Sequence, residues 1–148
     1  MIFRRNFSKY WLPVILWMGF IYWMSTDTFS SQNTFSWVEI ALRFWVPNIS
    51  FQEMVSLHTF IRKTAHVTEY FVLGLLLFRT FRGGSVSSWS WRWPIFALIV
   101  VALWAASDEF HQSFVSSRTA SAGDVAIDTA GGVFAQLVVA LWYRYRKK

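Results

Sequence analysis

The chain has 148 residues, of which 55% are hydrophobic and only 15% charged, and its 10 Trp and 15 Phe exceed what a small core can hide from water. A lipid solvent accounts for the surplus, and the absence of cysteine excludes disulfides, thiolate metal sites and a cysteine nucleophile. The net charge of +6 is not a nucleic-acid footprint, because the basic residues flank apolar runs and line no aromatic-interleaved polar face.

Taken in chain order, four segments are apolar enough to cross a bilayer: 10–24, 64–81, 94–111 and 125–143. The third is apolar only as far as Ala106 and is expected to continue as helix through Asp108 to His111. Residues 25–59 between the first two are long for a connection. Within them Phe35, Val38, Leu42 and Trp45 recur at helical spacing, beside Trp37, Ile40, Ala41 and Phe44 and over a fringe of Glu39 and Arg43. This predicts a short helix bounded by Pro47, either lying in the outer membrane interface or packed over the mouth of the bundle.

Dividing the charges by these segments gives direction. The N-terminal stretch, the 82–93 connection with Arg79, and the C-terminal tail hold 10 of the 14 basic residues and none of the eight carboxylates. The positive-inside rule then puts both termini in the cytoplasm. The expectation is an all-α membrane protein, a single domain over 1–148: a bundle of four transmembrane helices plus a short interfacial helix in the first outer loop. The first helix is expected to contribute little beyond anchoring.

Chemistry-capable residues gather at the outer ends of the other three helices. The second opens with Arg62-Lys63-Thr64-Ala65-His66-Val67-Thr68-Glu69-Tyr70, in which Lys63, His66 and Tyr70 share a face with Glu69 at its edge. An intramembrane carboxylate such as Glu69 is costly unless paired or protonated, and so is by default functional or tightly partnered. The third ends in Asp108-Glu109-Phe110-His111-Gln112; Arg118 follows in the loop, and the fourth opens at Asp124 with Asp128 one turn deeper. Gly131, Gly132 and Ala135 beyond it are small residues that let another helix approach closely. The catalytic candidates are Lys63, His66, Glu69, Asp108, Glu109 and His111; the substrate-binding candidates are Tyr70, Gln112, Arg118, Asp124 and Asp128. Within this set Glu69, Asp108, Glu109, Asp124 and Asp128 outnumber the cations Arg62, Lys63 and Arg118, an imbalance that calls for protonated carboxylates, a protonated histidine or a bound cation. The spacing matches no two-histidine zinc motif, so no metal is assigned, and no cofactor is identified. His58, in the predicted loop, is assigned no role.

At these residues the sequence resembles the VanZ-like family of small bacterial membrane proteins. The match is carried by Arg62-Lys63-x-x-His66-x-x-Glu69-Tyr70 with Leu73-Gly74, by Asp108-Glu109-x-His111-Gln112, by Arg118, and by Asp124 with Gly131. Ser25 and Ser30-Ser31-Gln32 resemble the serine-containing segment after the family's first helix. One departure is Asp128, where the family usually has asparagine. The resemblance implies a multi-pass protein of the bacterial cytoplasmic membrane with a cell-envelope role, the family's namesake being associated with low-level teicoplanin resistance. The residues support two functions. One is an envelope-modifying enzyme acting on a lipid-linked or anionic precursor. The other is a non-catalytic protein that binds or shields an envelope component or a membrane partner. Transport fits less well, because no pair of Gly/Pro-broken helices occupies matching positions. The expected partner is the lipid bilayer with a lipid-linked envelope component; oligomeric state is left open.

Overall fold

The computed structural model describes residues 2–83, 89–115 and 121–146, the first five of them by backbone alone. Among these the chain is entirely helical: α1 (Ile2–Met24), a 3-10 turn (Asp27–Phe29), α2 (Ser31–Trp45), α3 (Phe51–Arg82), α4 (Arg92–Gln112) and α5 (Ala122–Arg146). The helix predicted around Phe35–Trp45 is α2, extended to Ser31 because Ser30 caps it by accepting from the Asn33 N–H.

Helix α3 differs most from its predicted extent, starting at Phe51 rather than Thr64. Ser50 and Glu53 form a reciprocal capping box: the Ser50 side chain accepts from the Glu53 N–H at 3.3 Å, and Glu53 Oε2 accepts from the Ser50 N–H at 2.9 Å. The Ser50 hydroxyl also donates to Glu53 Oε2 at 2.6 Å, and this bond, with the one from the Ser50 N–H, holds the Glu53 carboxyl below its ordinary value. At the other end Gly83, at φ +58°, closes the helix by donating to the Arg79 and Thr80 carbonyls. At about 1.5 Å per residue, the 32 residues of α3 run roughly 48 Å.

Helix α3 is the hub, packing against α1, α2, α4 and α5. The shared core is Val14 and Ile21 of α1, Tyr70, Leu73 and Leu77 of α3, and Ala97, Val101 and Ala105 of α4. In the turn of α1 where Pro13 removes an N–H from the ladder, Thr80 ties α3 to α1 by donating to the Tyr10 carbonyl at 2.9 Å. Contact between α3 and α5 depends on absent side chains. A Cβ on Gly131 would lie 2.5 Å from the Val67 carbonyl oxygen of α3, and, where α5 meets α4, one on Gly132 would lie 2.6 Å from Val101 Cγ1. These glycines have the packing role the sequence suggested.

Outside this core the molecule is apolar where a water-soluble protein would be polar. Leu16 is 64% exposed, Leu103 66% and Phe134 56%, within apolar outer faces that run along α1, α4 and α5. Helices α4 and α5 are the two, among the described residues, that are long and apolar enough to cross a membrane. Helices α1 and α3 are long enough, but the Trp and Tyr of α1 and the ionisable residues of α3 lower their hydropathy. Helix α2 has two apolar faces. Phe35 packs edge-on against His58 of α3 with ring centroids 5.3 Å apart, while Trp37, Ile40, Phe44 and Trp45 stay exposed.

Candidate functional site

The C-terminal ends of α1 and α4 meet through polar side chains. Asp108 is buried, and its Oδ2 accepts from the Ser25 hydroxyl at 2.6 Å and from Gln112 Nε2 at 2.9 Å. Gln112 also donates to Ser25 Oγ at 3.3 Å, closing a three-membered network. Beside it the Tyr22 hydroxyl lies 3.1 Å from His111 Nε2, with the two rings 4.5 Å apart. Helix α1 therefore does more than anchor the chain, which corrects the sequence reading. Tyr22 was hidden in an aromatic run, whereas Ser25 is marked by the family resemblance without a contact being assigned to it.

A second polar layer joins α3 to α5. His66 Nδ1 is 3.3 Å from Asp128 Oδ1, and Asp128 is 1% exposed; the approach is ionic in distance but not aligned as a hydrogen bond. Tyr70 is fully buried between these layers, near enough to Asp108, Asp128, Glu69 and Glu109 for their charges to act on it. The Tyr70 hydroxyl, Asp108 Oδ1 and Asp128 Oδ2 are buried with no hydrogen-bond partner in the structure. Groups of this kind are satisfied by water, by a shared proton or by a ligand. Glu109 has a local task, accepting from the Ser121 N–H at 2.8 Å ahead of α5. Asp124 sits in the first turn of α5, where a negative charge is favoured. Among the described residues no three His, Asp or Glu side chains are grouped to hold a metal ion.

Above these layers a cavity of about 290 Å³ opens between the end of α1, the 3-10 turn, α2 and α3. Met24, Phe29, Trp37, Val38 and Ile61 give it apolar walls, and Arg62, His66 and Glu69 contribute its polar side. The Arg62 guanidinium donates from one nitrogen to the Phe29 carbonyl at 3.1 Å and to Thr34 Oγ1 at 3.2 Å. Burial draws Arg62 below its ordinary value while Asp124 and Glu69 oppose the shift, and at neutral pH it stays cationic. Lys63 does not line the cavity. It shares a face with Tyr70, but two turns higher, where it is exposed. Arg118 lies outside the described residues.

His58 was assigned no role from the sequence because it was placed in a loop. It is instead a buried residue of α3 that lines the cavity, with Nε2 3.0 Å from Thr34 Oγ1. Burial, helped by the Arg62 charge, holds it below the ordinary imidazole value of 6.5. Its proton is then taken up more readily by the unfolded chain, so stability falls as pH drops below about 6.5. Protection factors in α2, taken against the intrinsic exchange rate at each pH, should fall between pH 7 and 5, and His58→Gln should flatten that dependence; an unchanged profile would contradict the assignment.

Of the eleven predicted side chains the site thus brings together nine, with Lys63 at its edge and Arg118 outside the described residues. It adds Tyr22, Ser25, Thr34, His58 and Arg62 as contacting or lining groups. Compared with known proteins, the chain matches no curated protein and no solved structure. A family model described as VanZ/LLP1 does match it, over residues 10–143, and so takes in α2, α3, α4, nearly all of α5 and the C-terminal two thirds of α1. The match covers every element that builds the site, and the chain belongs to the VanZ/LLP1 family.

Proposed function

We propose that this protein spans the bacterial cytoplasmic membrane as a single domain through α1, α3, α4 and α5, and uses the cavity at its outer end to bind an anionic, lipid-linked envelope component. The apolar outer faces of α1, α4 and α5 support four spans, as do the basic residues concentrated at one end of the bundle. The length of α3 fits as well: roughly 48 Å exceeds the ~30 Å hydrocarbon layer, so its first turns stand clear and carry α2 as a cap. The native chain lacks cysteine, so single cysteines report orientation without background. Gln32→Cys should react with an impermeant maleimide on intact cells, and Tyr145→Cys only after permeabilisation; the reverse pattern would invert the topology.

The observation that carries the function is the cavity itself, apolar on most sides and floored by Arg62, His66 and Glu69. That pairing suits a ligand with a hydrocarbon chain and a phosphate-like head. In this reading Arg62 and Arg118 hold the anion. His66, facing Asp128, and His111, beside the Tyr22 hydroxyl, would then carry the general acid and base work. The phenotype consistent with the family is a change in teicoplanin tolerance.

The test uses full-length protein in nanodiscs with a short-chain polyprenyl phosphate as probe and the matching polyprenol as control. The phosphate should bind more tightly, and Arg62→Gln should weaken it by about tenfold, the worth of one charge-assisted hydrogen bond. Lys63→Gln should have little effect. Equal binding of phosphate and alcohol would overturn the reading. A non-catalytic shielding role is favoured by one feature, the exposed Trp37, Ile40, Phe44 and Trp45 face of α2. If that role holds, replacing both His66 and His111 leaves the cellular phenotype intact while polar substitutions on the α2 face remove it.

A further inference from the structure

At the other end of the bundle we infer a binding site for one anionic phospholipid. A groove of about 380 Å³ lies between Trp89 and Trp91, just ahead of α4, and the last turns of α5, where Leu137, Leu141, Tyr143 and Arg144 line it. Its aromatic frame is braced: Trp89 stacks on Phe78 with centroids 5.9 Å apart and meets Tyr143 at 5.3 Å. The Arg82 guanidinium donates to the Tyr143 hydroxyl at 2.7 Å, which fixes a second cation at the groove's Tyr143 edge.

Charge selects the occupant. No carboxylate occurs in residues 70–107 or 129–148, so neither arginine has an acidic neighbour from its own helix or from the adjoining segment. An uncompensated pair of guanidinium groups over a Trp- and Leu-lined groove matches a phosphodiester with its acyl chains lying along α5. A zwitterionic lipid would bring its own cation to the same place and lose that advantage. The groove also lies along α5 and just ahead of α4, the two helices whose length and composition suffice for a membrane. It is remote from the α1–α3 cavity, so the outcome there does not decide the outcome here.

The experiment is native mass spectrometry of the full chain released from detergent with equimolar phosphatidylglycerol and phosphatidylcholine. One phosphatidylglycerol should be retained in preference to phosphatidylcholine. Arg144→Gln and Arg82→Gln should each reduce that retention about fivefold, the usual worth of a basic residue at a lipid surface. Arg43→Gln, which removes only an exposed pair with Glu39, should not. Ala140→Phe, which fills the groove without touching charge, should expel the lipid. Equal retention of the two lipids, full retention by Arg144→Gln, or displacement of the lipid by equimolar inorganic phosphate would each overturn the assignment.

Discussion

Gly131→Ala should lower the stability of the detergent-solubilised protein by about 1–3 kcal/mol, the cost of forcing an extra carbon into a packed interface. Gly131→Val should leave no monodisperse protein at all. The reason is local and backbone-deep. The added Cβ would meet the Val67 carbonyl oxygen at 2.5 Å and the Phe71 nitrogen at 3.2 Å, so no side-chain rotation relieves the clash. Only separation of α3 from α5 would, and that pulls His66 away from Asp128. Gly19→Ala is the control, since nothing lies within 4 Å of that position. Alanine there should be neutral or slightly stabilising, because glycine inside a helix costs about 0.5–1 kcal/mol. Thermal melts followed by size-exclusion chromatography separate the cases, and equal melting of the Gly131→Ala and native chains would show that the interface is looser than described.

The second large effect concerns Asp128. Alanine at this position should weaken binding of the polyprenyl phosphate probe about 10–100-fold, the worth of a hydrogen bond or close pair involving a charged group. Thermal stability should hold or rise, because a buried carboxylate facing one histidine at 3.3 Å, with its second oxygen unpartnered, is a poor stabilising device. Asparagine should restore much of the function, since an amide can still hold the His66 ring. That substitution is also the residue the VanZ-like resemblance leads one to expect there. If instead the pair were a structural staple, alanine would lower stability by about 3–5 kcal/mol and binding would fall only as the protein unfolds. The two measurements together distinguish positioning from scaffolding.

Helix positions and the polar ends were legible in the sequence for a definite reason. Apolar runs and helical spacing are local signals, and they brought out Glu69, Tyr70, Asp108, His111, Gln112, Asp124 and Asp128 as one level of the bundle. The groups that were not legible depend on tertiary approach. Tyr22 becomes a polar partner only because the end of α1 comes to lie beside the end of α4, and the same approach gives Ser25, marked in the sequence by resemblance alone, its partner Asp108. His58 changed from a loop residue to a buried one because α3 begins thirteen residues before the run that is apolar enough to span a bilayer. The Ser50-x-x-Glu53 cap, followed by Phe51, Met54, Leu57 and Ile61 at helical spacing, was the sequence signal for that start. Lys63 erred in the opposite sense: helical spacing gave it the same face as Tyr70, yet burial depends on whether a neighbouring helix reaches that height.

The central claim is that the α1–α3 cavity holds an anionic lipid-linked ligand, and photo-crosslinking tests it most directly. A polyprenyl phosphate carrying a diazirine on its first isoprene unit would be irradiated with full-length protein in nanodiscs, and the adducts mapped by peptide mass spectrometry. The account predicts labels on the cavity walls, at Met24, Phe29, Trp37, Val38 and Ile61, that disappear with Arg62→Gln. Labels confined to the outer faces of α4 and α5, unaffected by that substitution, would contradict it.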